Sequence, residues 1–245
     1  MRYLLALSFR GTNYVGWQRQ PNGLAVQEVV ETAFDTITQQ ATKVTGCGRT
    51  DAGVHARQFF AHVDLPDKLP VPTIHRLNRL LPRDIVAHKF IPADDHFHAR
   101  FEAMSRSYEY HITSRPDPFR VDLAYRYPWY GSLDLDLLNQ SADLLLDYKA
   151  FYPFCKTRSG VENYRCDLMK SYWSEDEEDH SLVYHVTANR FLRGMVRLMV
   201  GMCLQVASGK LSLDKVATCL ASQTRLEESY SAPAHGLFLT QVLYP

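Results

Sequence analysis

The chain has 245 residues, 46% of them hydrophobic, and equal numbers of acidic and basic side chains give it a formal net charge of zero. This length suits one large or two medium domains, with enough apolar residues for a sizeable core. Zero net charge excludes a purely electrostatic argument for nucleic-acid binding. However, five acidic residues run from Glu175 to Asp179, which leaves the rest of the chain basic. We expect this run at the solvated tip of a hairpin.

The cysteines are odd in number and scattered, without any Cys-x-x-Cys pair. Such usage favours reduced thiols in a cytoplasmic protein over a disulfide framework or a structural zinc site. No window reaches the roughly 18 apolar residues that a membrane span needs. We therefore expect a cytoplasmic protein without membrane contact.

Hydrophobic periodicity divides the chain into two halves, residues 1–104 and 105–245. In the first half, alternation predicts a strand at 3–9, and apolar residues at helical spacing predict a helix at 26–37. The remaining elements of this half are a strand at 59–65 and a short helix near 74–81. The second half repeats the order of strand, helix and strands. Its expected elements are strands at 108–112, 165–172, 182–188 and 237–244, and helices at 134–149, at 190–207 and after the N-cap residue Ser212. The simplest architecture is an α+β fold of two similar halves, each an antiparallel sheet with helices packed on one face.

One stretch, residues 48–56, places a single carboxylate between glycines and directly before the strand at 59–65. Glycine permits tight turns and the close approach of another molecule. Asp51 thus lies on a polar loop fixed to a buried strand, where an ionised carboxylate can act as a nucleophile without prior deprotonation. Asp and Gly are also ordinary turn residues, so on the pattern alone a simple turn is the more common explanation.

Two further patterns carry charge or aromatic rings. Arg190, Arg193 and Arg197 follow the spacing of one stripe on the predicted helix at 190–207. A solvated basic face explains this stripe equally well. Tyr108 and Tyr110 lie on one face of their strand, where aromatic residues are most often part of the core.

Six segments resemble conserved motifs of the bacterial tRNA pseudouridine synthases of the TruA family. The nine-residue stretch 48–56 is similar to the family's active-site signature, and the similarity extends over nearly the whole chain. The other matching segments are 9–20, 97–101, 106–110, 189–197 and 233–239. One departure lies at Pro153, where the family usually has a serine, and Lys156 supplies a basic residue one place later than in the family.

The resemblance implies two halves joined into one extended sheet with a basic cleft between them. It also implies isomerisation of uridine to pseudouridine at positions 38–40 of the tRNA anticodon arm, without a cofactor, by a homodimer. Asp51 matches the family's nucleophile, Arg197 the arginine that pairs with it, and Tyr108 the tyrosine that stacks on the target base.

Four further residues are candidate substrate contacts. Arg49 lies beside the nucleophile and is expected to fill the gap left by the extruded base or to hold a phosphate. Arg190 and Arg193 are expected to line the basic cleft. For His55 we favour a role as a hydrogen-bond donor that orders the loop over general-base catalysis, because the family chemistry assigns proton transfer elsewhere.

Alternatives from other classes stay open at this point. A non-catalytic RNA-binding module fits the same α+β pattern, although it has no need of a carboxylate that faces RNA. A glycoside or nucleoside hydrolase also fits an Asp51 nucleophile, but retaining chemistry needs a second carboxylate about 5 Å away. The candidates for that second group are Asp94, Asp95 and Glu102. His96 and His98 are spaced for a metal, but no carboxylate or cysteine nearby completes the ligand set, so we expect no metal site.

Overall fold

The protein is described by a computed structural model that covers residues 1–65, 73–157, 160, 162–176 and 181–245. It is an α+β protein, as expected. The α-helices of the described residues are α1 (Val26–Thr38), α2 (Thr73–Leu80), α3 (Leu135–Leu144), α4 (Met195–Ala207) and α5 (Leu213–Ser222). The strands are β1 (Arg2–Phe9), β2 (Val44–Gly46), β3 (His55–Asp64), β4 (Ile85–Ala93), β5 (Ser105–Thr113), β6 (Tyr125–Arg126), β7 (Leu168–Asp176), β8 (Ser181–Ala188) and β9 (Leu237–Leu243).

The chain forms two compact units. The first contains Met1–Met104 together with Phe238–Pro245, and the second contains Ser105–Leu237. The C-terminal strand β9, apart from its first residue Leu237, lies in the first unit.

In the first unit the strand order is β4–β1–β3–β9, with β2 beside β3. The pairs β1–β3, β1–β4 and β2–β3 are antiparallel, whereas β3 and β9 run parallel, with His55 opposite Phe238. No hairpin joins β9 to β3, so chain connectivity imposes no antiparallel direction on this pair. Most of the apolar stripe of α1 is buried, and its Phe34 ring lies 6.1 Å from the ring of Phe90 on β4.

In the second unit β8 lies between β5 and β7, and both pairs are antiparallel. The two-residue strand β6 pairs with β5 in parallel. Helix α3 covers this sheet: the Ser171 hydroxyl on β7 donates to the carbonyl of Ala142 at 2.7 Å, and the Trp173 N–H donates to Asn139 Oδ1 at 2.9 Å. Helix α4 packs against α3, and 11 of its 13 residues are buried.

The structure differs from the periodicity at several places. The strands β2, β4 and β6 were not predicted, and α3 ends at Leu144, where a short 3₁₀ turn follows. The N-cap role of Ser212 is confirmed, since its hydroxyl accepts from the N–H of Lys215. Residues 177–179 of the acidic run lie outside the described residues, so the hairpin tip stays a prediction. Within the described part of the chain, no helix combines the length and apolar character needed to cross a membrane.

A buried histidine makes the stability of the first unit pH-dependent. His62 on β3 is only 8% exposed, and its Nδ1 accepts from the N–H of Ala99 at 3.1 Å. Burial lowers the pKa of His62 to about 4, with smaller contributions from the positive charge of Arg2 and from His98. The ordinary pKa of histidine is about 6.5. The unfolded chain therefore takes up this proton first, and stability falls as pH drops from about 6.5 towards 4.

We predict that His62→Asn reduces this acid sensitivity, because Asn Oδ1 accepts from Ala99 but does not titrate. Urea-unfolding midpoints at pH 7 and pH 4.5 should differ less in the variant than in the unmodified protein. His75→Asn on the exposed surface of α2 is the matched control and should keep the original difference. A His62→Asn protein that loses as much stability as the unmodified protein between the two pH values contradicts this account.

Candidate active site

Asp51 lies on the loop that connects β2 to β3. Its side chain is partly exposed, and the backbone closes a tight turn behind it, in which the N–H of Val54 donates to the carbonyl of Asp51 at 3.2 Å. At the start of the loop the Cys47 N–H donates to the carbonyl of Phe60 on β3 at 2.7 Å. The carboxylate is thus mounted on a short loop whose two ends are tied to the sheet.

A second loop, residues 10–17, packs directly against the Asp51 loop. The N–H of Trp17 donates to Thr50 Oγ1 at 3.0 Å, and the N–H of Gly53 donates to the carbonyl of Tyr14 at 3.2 Å. The two backbones are so close that a Cβ on Gly16 would lie 2.2 Å from the carbonyl oxygen of Thr50. Gly16 also has φ +100°, which other residues rarely adopt.

The same close approach occurs on the other side of Asp51. A Cβ on Gly11 would lie 2.0 Å from the carbonyl oxygen of Val54, so this position also tolerates no side chain. The two glycines therefore let residues 10–17 lie against the backbone on both sides of the carboxylate. We call this contact the loop clamp, defined by residues 11–17 and 50–54.

Buried side chains anchor the loop clamp to the sheet. The ring of Trp17 is 2% exposed and lies 4.1 Å from the ring of Phe59 on β3. At its other end the clamp is held by Asp84, whose carboxylate accepts from the Tyr14 hydroxyl at 2.6 Å and from the Asn13 amide at 3.0 Å. Burial and this carboxylate raise the pKa of Tyr14, so its hydroxyl stays protonated as the donor.

His55 directly follows the loop clamp in sequence and is buried rather than exposed. Its side chain is 1% exposed, its Nδ1 accepts from the N–H of Gly11 at 3.0 Å, and its ring stacks on Phe238 at 4.6 Å. Because Nδ1 accepts, the proton of the neutral ring resides on Nε2. The expected hydrogen bond to the loop is present, with the ring as its acceptor rather than its donor. Arg49, in contrast, is exposed.

In the second unit, Tyr108 and Tyr110 on β5 share a face but differ in environment. Tyr110 is fully buried, and its hydroxyl donates to the carbonyl of Pro233 at 2.8 Å. Tyr108 is only partly buried, and its ring meets that of Phe191 edge to face at 5.1 Å. Tyr110 is thus a core residue, whereas Tyr108 keeps exposed ring surface. The contact with Phe191 was not foreseen from the sequence.

The predicted helix at 190–207 begins later than expected, at Met195. Gly194 has φ +70°, a left-handed conformation that cannot continue a helix from the preceding residues. The N–H of Lys156 donates to the carbonyl of Arg193 at 3.1 Å, which ties this irregular segment to residue 156. The prediction of one helical stripe for Arg190, Arg193 and Arg197 is therefore wrong, because only Arg197 lies on α4.

Arg197 is the only charged residue of α4. Its Nε donates to the carbonyl of Ala232 at 2.6 Å, and the N–H of Ala232 donates back to the carbonyl of Arg197 at 3.0 Å. Donation from Nε fixes the direction of the side chain. The partly exposed guanidinium is thus held in a defined orientation by the backbone around residue 232.

Pro153, the departure from the family motif, lies in a 3₁₀ turn, Tyr152–Phe154, and is buried. It therefore acts as a packing residue at this place. The side chain of Lys156 packs at Gly194, where a Cβ would meet it at 2.8–2.9 Å. Among the described residues, no three His, Cys, Asp or Glu side chains are arranged to hold a metal ion, His96 and His98 included.

Known proteins resemble this chain over its whole length. A family model described as tRNA pseudouridine synthase matches residues 146–245. The chain is 42% identical to the tRNA pseudouridine synthase A of Porphyromonas gingivalis, over 100% of this chain and 97% of that protein. The chain belongs to the tRNA pseudouridine synthase A family. The proteins of the same name from Bacteroides thetaiotaomicron and Cutibacterium acnes are 42% and 39% identical, over 100% of this chain and 91% and 89% of their own lengths.

This family consists of isomerases, which argues against a non-catalytic RNA-binding module and against a hydrolase. The loop clamp lies within segments 9–20 and 48–56, which are two of the motifs matched in the sequence. Thr50 and Asp84, which hold the clamp, were not singled out from the sequence. The only signal for Thr50 was its place inside the nine-residue motif.

Proposed function

We propose that the chain converts uridine to pseudouridine at positions 38–40 of the tRNA anticodon arm, with Asp51 as the nucleophile. The observation that carries this proposal is the partly exposed carboxylate of Asp51 on a clamped loop, in a chain about 40% identical to tRNA pseudouridine synthases A over its full length. The positions within tRNA rest on the family resemblance alone.

The reaction breaks the N-glycosidic bond, turns the uracil and rejoins it to the ribose through carbon. It is redox-neutral and consumes no net water, so it needs no redox cofactor. The target uridine must leave its base stack, which costs a few kcal/mol. Stacking on an aromatic side chain contributes about 1–3 kcal/mol per base, which is enough to offset much of that cost.

Tyr108 is our candidate for this stacking partner. A flat ring fixes the plane of the base and still allows it to turn, as the reaction requires. The partial exposure of Tyr108, in contrast to the fully buried Tyr110, supports this choice. Its hydroxyl is also our candidate for taking or relaying the proton that leaves the new carbon attachment point.

We further propose that the guanidinium of Arg197 pairs with the carboxylate of Asp51 and orients it for attack. The hydrogen bond from its Nε to Ala232 gives the guanidinium a fixed orientation, which favours a positional role over a mobile surface charge. The pairing itself rests on the family resemblance.

The remaining residues take supporting roles in this proposal. The exposed Arg49 is suited to contact a phosphate or to fill the space of the extruded base, and Arg190 and Arg193 are candidates for phosphate contacts. His55, at 1% exposure, is assigned to holding the clamp rather than to contact with substrate. The proposal also includes a homodimer, as in the family, and a cytoplasmic location, which suits five cysteines that form no disulfide with one another.

We predict that Asp51→Asn abolishes turnover but leaves tRNA binding intact, because the amide is not a nucleophile yet has the same shape. The assay measures release of tritium from tRNA labelled at uridine C5, beside filter binding of the same tRNA. Transcripts in which the uridines at positions 38–40 are replaced by cytidine test the proposed position.

Asp95→Asn is the control for this experiment and should release tritium at the original rate. It also tests the hydrolase alternative, in which Asp95 was a candidate second carboxylate and abasic sites would accumulate. Appreciable tritium release by Asp51→Asn would remove Asp51 from the role of nucleophile.

For Tyr108→Phe we predict a large loss of kcat with tRNA affinity kept within about twofold, since the ring that stacks remains and only the hydroxyl is lost. The contact with Phe191 involves the ring, so the fold should be retained. Single-turnover rates and binding constants separate the two effects. Tyr172→Phe, on an exposed tyrosine of β7, is the matched control. Unchanged single-turnover rates in Tyr108→Phe would exclude its hydroxyl from the chemistry.

A further inference from the structure

The second unit contains a cleft of about 520 Å³ that none of the residues proposed for catalysis lines. A volume between about 300 and 1,000 Å³ is typical of small-molecule sites, so the cleft is large enough for one nucleoside. Its lining combines two aromatic rings with charged and amide side chains. The lining residues are Ala150, Tyr152, Glu162, Asn163, Tyr164, Arg165 and Gln223.

The base of the cleft is held by backbone and amide hydrogen bonds. Two neighbouring segments pair through the N–H of Phe151, which donates to the carbonyl of Tyr164 at 3.0 Å. Gln223, at the end of α5, joins this pair: its amide donates to the carbonyl of Ala150 at 2.9 Å, and its Oε1 accepts from the N–H of Tyr152 at 3.2 Å. The cleft is thus built by three segments fixed to one another.

The two tyrosines differ in how much ring surface they offer. Arg225 lies over the ring of Tyr152 at 4.8 Å and donates to the carbonyl of Cys155 at 3.0 Å, so it covers one face of that ring. The ring of Tyr164 meets that of Tyr152 edge to face at 4.9 Å and is partly exposed. Tyr164 is therefore the ring on which a flat ligand can stack.

Charged groups at the rim discriminate between possible ligands. Glu162 and Arg165 are both exposed. A carboxylate in the cleft repels a phosphate, but it accepts well from the N–H groups of a base. Guanine offers two adjacent donors, N1–H and the N2 amino group, to a carboxylate, and two acceptors, O6 and N7, to an arginine. Adenine and the pyrimidines lack this combination.

We propose that this cleft binds an unstacked guanine of the tRNA substrate, with its ring on Tyr164 and its edge on Glu162 and Arg165. This site is separate in its residues from the one proposed for the reacting uridine, and it rests on the proposed function in taking tRNA as the ligand. RNA-binding proteins read unpaired bases in this way, by stacking and by hydrogen bonds to base edges.

The first test uses mononucleotides as probes and the full chain with Asp51→Asn, so that turnover plays no part. Saturation-transfer NMR with GMP, AMP, CMP and UMP should show GMP bound most tightly. Tyr164→Ala should abolish the GMP signal, Tyr164→Phe should keep it, and Glu162→Gln should remove the preference for GMP over AMP. Tyr172→Ala, which truncates an exposed tyrosine of the same unit, should have no effect. Equal binding of the four nucleotides, or GMP binding that survives Tyr164→Ala, overturns the proposal.

The second test uses the tritium-release assay with otherwise unmodified protein. Tyr164→Ala should raise the KM for tRNA about tenfold, in line with the loss of one stacked base, and leave kcat within twofold. Tyr164→Phe should restore the original KM. Normal tritium release with an unchanged KM in Tyr164→Ala overturns the guanine site and leaves the proposed function intact. The absence of tritium release together with tRNA and GMP binding that depends on Tyr164 overturns the proposed function and supports the site.

Discussion

The structure of the first unit depends on one close contact, in which residues 11–17 lie against the backbone on both sides of Asp51. At Gly16 and Gly11 a Cβ would come within 2.2 Å and 2.0 Å of carbonyl oxygens of the Asp51 loop. Atoms do not approach so closely, so any side chain at either place must push the two loops apart. Polar groups on the opposing loops complete the contact, through Thr50 and His55. The proposed role of Asp51 as the nucleophile requires such a mount, because small displacements of a reacting group cost much of its effectiveness.

A comparable constraint acts in the second unit on Arg197. Helix α4 is almost wholly apolar and buried, and its single charged side chain, Arg197, is partly exposed and is oriented by the carbonyl of Ala232, which accepts from Nε. The neighbouring residues support this arrangement, since Gly201 leaves room for the carbonyl of Tyr230, to which a Cβ would come within 1.8 Å. In both units, therefore, a glycine permits the close backbone approach that positions a charged group. Each charged group is a proposed participant in the same reaction.

The fold was predictable where the pattern is local. The stripe of α1 and the alternation of β1 and β5 follow from spacing within one element, and the structure reproduces them. The helix at 190–207 was extended too far, because arginine and apolar spacing continued upstream of Gly194, whose left-handed conformation the periodicity does not reveal. The strand β2 is only three residues long, and β4 contains Pro92 and charged positions that hide its alternation. The place of β9 beside β3 depends on residues more than 180 positions apart, which leave no local signal.

The same distinction holds for the candidate site. Asp51, Tyr108 and Arg197 became candidates through motif resemblance, because each lies in a short segment that matches a motif of the family. The groups that hold the loop clamp were not, since the hydrogen bonds from Trp17 to Thr50 and from Tyr14 to Asp84 join positions 33 and 70 residues apart. Thr and Asp are common residue types, so neither Thr50 nor Asp84 stands out in the sequence as a hydrogen-bond partner. The burial of His55 could not be predicted from the sequence either, because a histidine next to a polar loop is expected to be exposed.

The most direct test of the account compares two glycine substitutions in the clamp region by single-turnover tritium release and tRNA binding. Gly16→Ala inserts a methyl group against the carbonyl of Thr50, whereas Gly48→Ala adds the same group where no atom lies within 4 Å. We predict that Gly16→Ala lowers the single-turnover rate at least tenfold with tRNA affinity kept, and that Gly48→Ala leaves the rate within about twofold. Equal rates in the two variants would contradict the claim that the loop clamp positions Asp51 for reaction.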